Sequence, residues 1–139
     1  MLGIFDSYGV RFRHPMDWTV DVSEDGSRAT IELLSPGPAF AIVSVDESSP
    51  SPSEMAEEAL EAMRDEYPSL EAEPAVQTIG GYEAMGYDVS FFSLDLVIDC
   101  AIRCFQTSSR TVMIFGQWPQ DEEEDASAFL SLVRSFEEE

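Results

Sequence analysis

Apolar and polar residues alternate with a period of two over most of the first half of this chain. Val10 and Phe12 alternate with Arg11 and Arg13, and Trp18, Val20 and Val22 alternate with Thr19 and Asp21. Ala29, Ile31 and Leu33 alternate with Arg28, Thr30 and Glu32. That period places one face of each segment on a core and predicts strands. Ser23-Glu24-Asp25-Gly26-Ser27 and Ser35-Pro36-Gly37-Pro38 carry turn residues between them. Phe40 to Val45 is almost wholly apolar and predicts a central strand buried on both faces.

The period then changes. After a Ser/Pro-rich loop, Met55, Ala59, Met63 and Tyr67 recur at helical spacing. Ser51 is placed to cap this helix, Pro52 suits its first position, Glu54 suits a capping box, and Pro68 stops it. Three further strands follow. Val76–Ile79 ends at Gly80-Gly81, a pair that suits a turn with positive φ. Met85, Tyr87, Val89 and Phe91 alternate next, and then Ile98, Cys100, Ile102 and Cys104. After a turn at Thr107-Ser108-Ser109, Val112 and Ile114 share one strand face that extends to Trp118, with Met113 and Phe115 on the other. A second helix is predicted after Pro119, with Asp121 and Glu124 as a capping box and Ala126, Phe129, Val133 and Phe136 as its apolar stripe. The terminal Glu137-Glu138-Glu139 reads as frayed and solvated.

The pattern predicts one α+β domain over residues 1–139: a mostly antiparallel sheet of about six or seven strands flanked by two main helices. Length and a 44% hydrophobic content agree with one folded core. Residues 1–6 have no basic segment leading into a long apolar one, so no signal peptide is predicted and the expected location is cytoplasmic.

Charge narrows the function classes. Seven Arg and no Lys stand against 28 acidic residues, for a net charge of −21. Such a field repels phosphate backbones and anionic bilayers, so neither nucleic acid nor membrane is an expected partner. It serves solubility, or it presents an acidic surface to a basic partner. Segments 51–75 and 119–139, which contain the two helices, each carry eight acids and one Arg, whereas 76–118 carries four acids and two Arg. A binding face is therefore expected on the acidic helical surface or on an uncharged sheet edge or concavity.

No catalytic or cofactor set is assembled in the sequence. His14 is the sole histidine, in a turn before Pro15, so every Ser-His-Asp or Cys-His scheme would have to use it. Cys100 and Cys104 stand four strand residues apart, roughly 13 Å, beyond the roughly 7 Å a disulfide spans. Both are expected to be reduced core thiols, in keeping with a reducing compartment. The run Asp121–Asp125 lacks the glycine and ligand spacing of a calcium loop, and charge at a helix N-terminus explains it. Gly80-Gly81 lacks the rest of any phosphate-loop motif.

Three segments carry a family resemblance: Tyr8, Val10, Phe12, Pro15 and Trp18 at the N-terminus; Ile79-Gly80-Gly81-Tyr82-Glu83-Ala84 ahead of a long hairpin; and Phe129 to Phe136 in the last helix. In this order they resemble the Mog1/PsbP-like fold family. The resemblance implies an α/β/α sandwich and a non-enzymatic binding role. Known members include a Ran-GTPase-binding protein, an extrinsic photosystem II subunit and chaperones for secreted effectors. The expected function is thus that of a binding or adaptor protein with a protein partner, acting as a monomer or a dimer. The alternative is a small-molecule or divalent-metal-binding domain. Phe91 and Phe92, with Leu94 at an expected hairpin tip, and Trp118 are the candidate partner contacts.

Overall fold

The computed structural model describes residues 2–138. Its chain order is β1 (Leu2–Ser7), β2 (Val10–Pro15), β3 (Thr19–Asp25), β4 (Arg28–Leu34), β5 (Phe40–Asp46), α1 (Pro52–Glu66), β6 (Glu71–Ile79), β7 (Tyr82–Ser93), β8 (Leu96–Gln106), β9 (Thr111–Pro119), α2 (Glu123–Ser135) and β10 (Glu137–Glu138). Seven strands form one antiparallel sheet in the order β3-β4-β5-β9-β8-β7-β6. β3, β4 and β5 form a meander. α1 then carries the chain across one face to the far edge, and the meander β6 to β9 returns inward until β9 pairs with β5. β1, β2 and β10 form a second, three-stranded sheet.

Strand parity decides which helix covers which face. On β8, Cys100, Ile102 and Cys104 point one way and pack with Val89, Phe91 and Ile98 against Met55, Ala56, Leu60 and Met63 of α1. Ala101 and Phe105 point the other way. They join Ile31, Val43, Val112 and Ile114 beneath Phe129, Leu132 and Val133 of α2, together with Val10 and Phe12 of the small sheet. The helices are staggered: α1 lies over β7, β8 and β9, whereas α2 packs on β9 and β2. The β6–β8 half of the α2 face therefore has no helix above it.

Local chemistry fixes the corners. Ser51 caps α1, its hydroxyl accepting from the Glu54 backbone N–H at 3.4 Å. Gly80 and Gly81 both take positive φ, which the two-residue turn between β6 and β7 requires. Gly116 is where the Phe129 ring lies on the sheet; a Cβ there would clash with that ring.

The structure corrects several expectations. Leu2–Ser7 forms β1, which was not foreseen. β6 begins at Glu71 rather than Val76, because Pro74 is tolerated on an edge strand. Leu60, absent from the predicted stripe, is a core residue of α1. α2 has Glu122 at its N-cap with no side-chain cap bond, so the acidic run stabilises the helix through charge near its N–H groups rather than through an Asp121 box. Glu137 and Glu138 are paired with Arg11 and Val10 as β10 instead of being frayed. Glu138 accepts from the Tyr82 hydroxyl at 3.1 Å and lies 3.6 Å from Arg110, whose guanidinium also donates to the Tyr8 carbonyl. Glu139 lies outside the described residues.

The two edges of the large sheet are guarded differently. β6 carries Pro74, Glu71 and Glu73. β3 is exposed along nearly its whole length and carries Asp21, Glu24 and Asp25.

Candidate binding groove

The uncovered half of the α2 face forms a groove of about 480 Å³. Asp99, Ala101 and Arg103 of β8 are its floor. Asp88 and Ser90 of β7, with Glu71, Glu73 and Gln77 of β6, are one wall; Ala126, Phe129 and Leu130 of α2, with Trp118, are the other. Parity explains why polar residues gather here. Each lies between the residues that β7 and β8 bury under α1, so the same alternation that fills one core leaves the opposite face polar.

Arg103 anchors the floor. Its Nε donates to Gln77 Oε1 at 3.0 Å, its Nη1 to the carbonyls of Tyr87 and Ile102, and its Nη2 to Asp88 Oδ1 at 2.7 Å. One buried side chain thus ties three strands together and uses its fork on fixed acceptors. Asp99 accepts from the Ser90 hydroxyl at 2.9 Å and from Gln120 at 3.3 Å. With Asp88 paired to Arg103, Glu71, Glu73 and Asp99 leave the groove net negative. The concavity is therefore not the uncharged surface expected from segment charges.

At one end of the groove the β7–β8 hairpin projects its apolar tip. Leu94 is 94% exposed and Phe92 is 78% exposed. Leu94 and Asp95 take φ of 50° and 68°, positive at both central turn positions as in a type I′ hairpin. Leu94 also borders a recess of about 170 Å³ formed with Pro38, Leu96, Trp118 and Pro119. Trp118 is half-buried, its ring 5.1 Å from that of Phe129, and it lines both recess and groove. Asp99 pairs with Trp118 on one side and with Ser90 on the other, so Trp118 and Phe92 belong to the same end of the same face.

Of the four expected contacts, Leu94 and Trp118 line the same recess, and Phe92 is exposed on the same sheet face as Trp118, two residues beyond Ser90. Phe91 is not: it is only 4% exposed, and its ring stacks on Tyr67 at 3.9 Å under α1. Consecutive strand residues face opposite ways, so only one of the two phenylalanines can be at the surface. Sequence reasoning missed Arg103, Asp88, Glu71 and Glu73. The signal was present as polar residues at alternate positions, Glu71 and Glu73 on β6, Asp88 and Ser90 on β7, and Asp99 and Arg103 either side of Ala101 on β8, but it becomes a groove only once their registers are known.

Other candidate chemistry is dispersed. His14 belongs to β2 rather than to a turn; its Nδ1 donates to the Pro15 carbonyl at 2.9 Å and its ring lies against Gly3. Cys100 and Cys104 are free and buried. Burial pushes the Cys104 thiol up to about 12 and the Cys100 thiol higher still, so both are protonated and poor nucleophiles. At the start of α2, burial and the charges of Glu124 and Asp17 raise the Asp125 pKa. Among the described residues, no three His, Cys, Asp or Glu side chains converge to hold a metal ion.

No family profile and no characterised protein sequence matches this chain. Solved structures do. The cyanobacterial PsbP protein CyanoP of Synechocystis sp. PCC 6803 matches at a TM-score of 0.67 with 12% identity, covering 99% of this chain and 92% of that one. LpqN, involved in cell envelope biogenesis of Mycobacterium tuberculosis, matches at 0.60 with 15% identity, covering 99% and 90%. A protein of unknown function from Pseudomonas aeruginosa matches at 0.52 with 15% identity, covering 93% and 91%. At these identities the likeness is one of fold. A seven-stranded antiparallel sheet between two helices, shared along nearly the full length of the first two, gives this chain the Mog1/PsbP-like fold.

Proposed function

We propose that this is a non-enzymatic binding protein that engages a protein partner through the β7–β8 tip and the adjoining acidic groove. The observation that carries the reading is the exposure of Phe92 and Leu94 on the hairpin just beyond Ser90, which lines that groove. Asparagine and glycine are the residues favoured at such a turn; a leucine there costs backbone strain of about 1 kcal/mol or more, which contact with a partner offsets. The complementary partner presents apolar side chains to the tip and basic ones to Glu71, Glu73 and Asp99. A cytoplasmic location belongs to the same proposal and draws on the two free thiols. No helix of the described residues is long and apolar enough to cross a membrane.

The test is photo-crosslinking from position 94, identification of the captured protein, and titration of the purified pair. Phe92→Ser with Leu94→Ser is expected to weaken binding tenfold or more, as loss of a buried apolar anchor does. An unchanged affinity would remove the tip from the interface.

A small-molecule or divalent-cation role is the second reading. The groove has a volume usual for ligand pockets. Its acidic, Arg-anchored floor suits an organic cation better than a metal ion, since no metal-ligand set converges among the described residues. Chemical-shift changes confined to Asp99, Arg103 and Trp118 on adding an organic cation, with the tip unaffected, would favour it.

A further inference from the structure

α2 has a second groove on its other flank, of about 490 Å³, and its character is the opposite of the first. It lies between α2 and the small sheet and is lined by Arg11, Arg13, Arg134, Ser127, Ser131 and Leu130, among others. The chain has only seven Arg. Four of them, Arg28, Arg64, Arg103 and Arg110, are in ion pairs with carboxylates. The other three line this groove, and among the described residues none makes an ion pair. In a protein with four acids for each Arg, a cation without a carboxylate is unexpected; three in one concavity mark a place kept free for a different anion. Glu137 also lines the groove, and Asp6 faces Arg11 across the β1–β2 pair, yet neither is within ion-pair distance of Arg11.

We infer that this groove binds the dianion of a phosphate monoester carrying an apolar organic group. Three guanidinium forks supply more donors than one carboxylate can accept, and a phosphate monoester offers three oxygens. Ser127 and Ser131, one helical turn apart on α2, add hydroxyl donors beside Arg134. Ser135 is already engaged, donating to the Leu132 carbonyl at 3.0 Å and accepting from the Arg13 N–H at 2.8 Å, which ties α2 to β2 and fixes the width of the groove. Leu2 and Leu130, each 43% exposed, line the remainder and receive the organic part of the ester. Such a phosphate could be free or part of a phospholipid headgroup. The field of −21 charges opposes an anionic bilayer far more than a single small dianion, so the soluble form is the ligand.

The experiment titrates the ¹⁵N-labelled protein with hexyl phosphate, with inorganic phosphate, and separately with vesicles of phosphatidic acid. Hexyl phosphate is expected to shift the Arg11, Arg13, Ser127 and Ser131 amides, to bind more tightly than inorganic phosphate, and to lose tenfold or more in affinity in each of Arg11→Gln and Arg134→Gln. Arg64→Gln, far from the groove, is the control and should bind as the native chain does. All three Arg of the groove are exposed, so these variants should fold; an unchanged melting curve checks it. No shifts at millimolar hexyl phosphate, or equal binding by the variants, would overturn the inference. So would binding to the vesicles alone. A dimer in sedimentation that the Arg134→Gln variant abolishes would overturn it too, by making the groove an interface for an acidic face of a second copy.

Discussion

Two residues show how single positions serve different ends. Leu94 combines near-complete exposure with a backbone conformation that disfavours a branched side chain. Replacing it with asparagine should raise stability by about 1 kcal/mol, read from denaturant unfolding, while weakening partner binding. A loss of stability would show that the leucine packs against its recess rather than waiting for a partner. Asp46 is the reverse case, a carboxylate held entirely for structure. It is 5% exposed, with Oδ1 accepting from the Ser48 hydroxyl, the Ser48 N–H and the Ser27 hydroxyl and Oδ2 from Arg28. The Ser48 hydroxyl foremost, with its N–H, Ser27 and Arg28, holds the Asp46 pKa down to about 2 despite an opposing effect of burial. Because the folded value lies below the ordinary one of 3.8, its stabilisation is complete above pH 4 and fades as pH falls toward 2. Asp46→Asn should cost about 1–2 kcal/mol at pH 7 and nearly nothing at pH 2. A cost that does not change with pH would assign it to packing alone.

At the scale of elements, apolar periodicity made the sequence legible wherever a segment was long enough to show it. β2, β4, β5, β7, β8, β9 and both helices could be read from the spacing of residues such as Ile31 and Leu33, or Met55 and Met63. β1 and β10 could not. β10 is two glutamates, which have no period, and what places them is tertiary: Arg11 and Val10 across the ladder, Tyr82 and Arg110 at the Glu138 carboxylate. The groove was hidden for the same reason. Arg103 and Gln77 are 26 residues apart and meet only through the register of three strands. Glu138→Ala is expected to leave the nearly buried Arg110 without its counter-charge and to loosen the small sheet. Hydrogen exchange should then quicken at the amides of β2 and leave those of β8 unchanged. Equal protection in both would mean that the last strand holds nothing in place.

Across the whole molecule, charge and architecture pull in different directions. Twenty-one excess negative charges press outward on a fold whose ion pairs, among the described residues, are few. Most of that repulsion acts between exposed groups, so it is screened once the Debye length falls from roughly 30 Å at 0.01 M salt to roughly 8 Å at 0.15 M. The melting temperature should rise by several degrees over that range; a flat response would show that the acids are spaced widely enough not to oppose folding. α2 is the element on which both proposed functions meet, since Leu130 belongs to both flanking grooves. One side of the ridge is acidic and the other basic, so the two grooves select ligands of opposite sign.

The carboxylates on β3 also have a task beyond solubility. Asp21, Glu24 and Asp25 stand along an otherwise bare row of backbone donors and acceptors. At neutral pH, two such rims brought together repel each other. With these charges removed, the rims become sticky, and neighbouring copies can stitch their ladders into a continuous ribbon. Turbidity and thioflavin fluorescence that climb in an Asp21→Asn, Glu24→Gln, Asp25→Asn variant, and that an added proline at Val22 suppresses, would reveal the acids as gatekeepers against fibre growth.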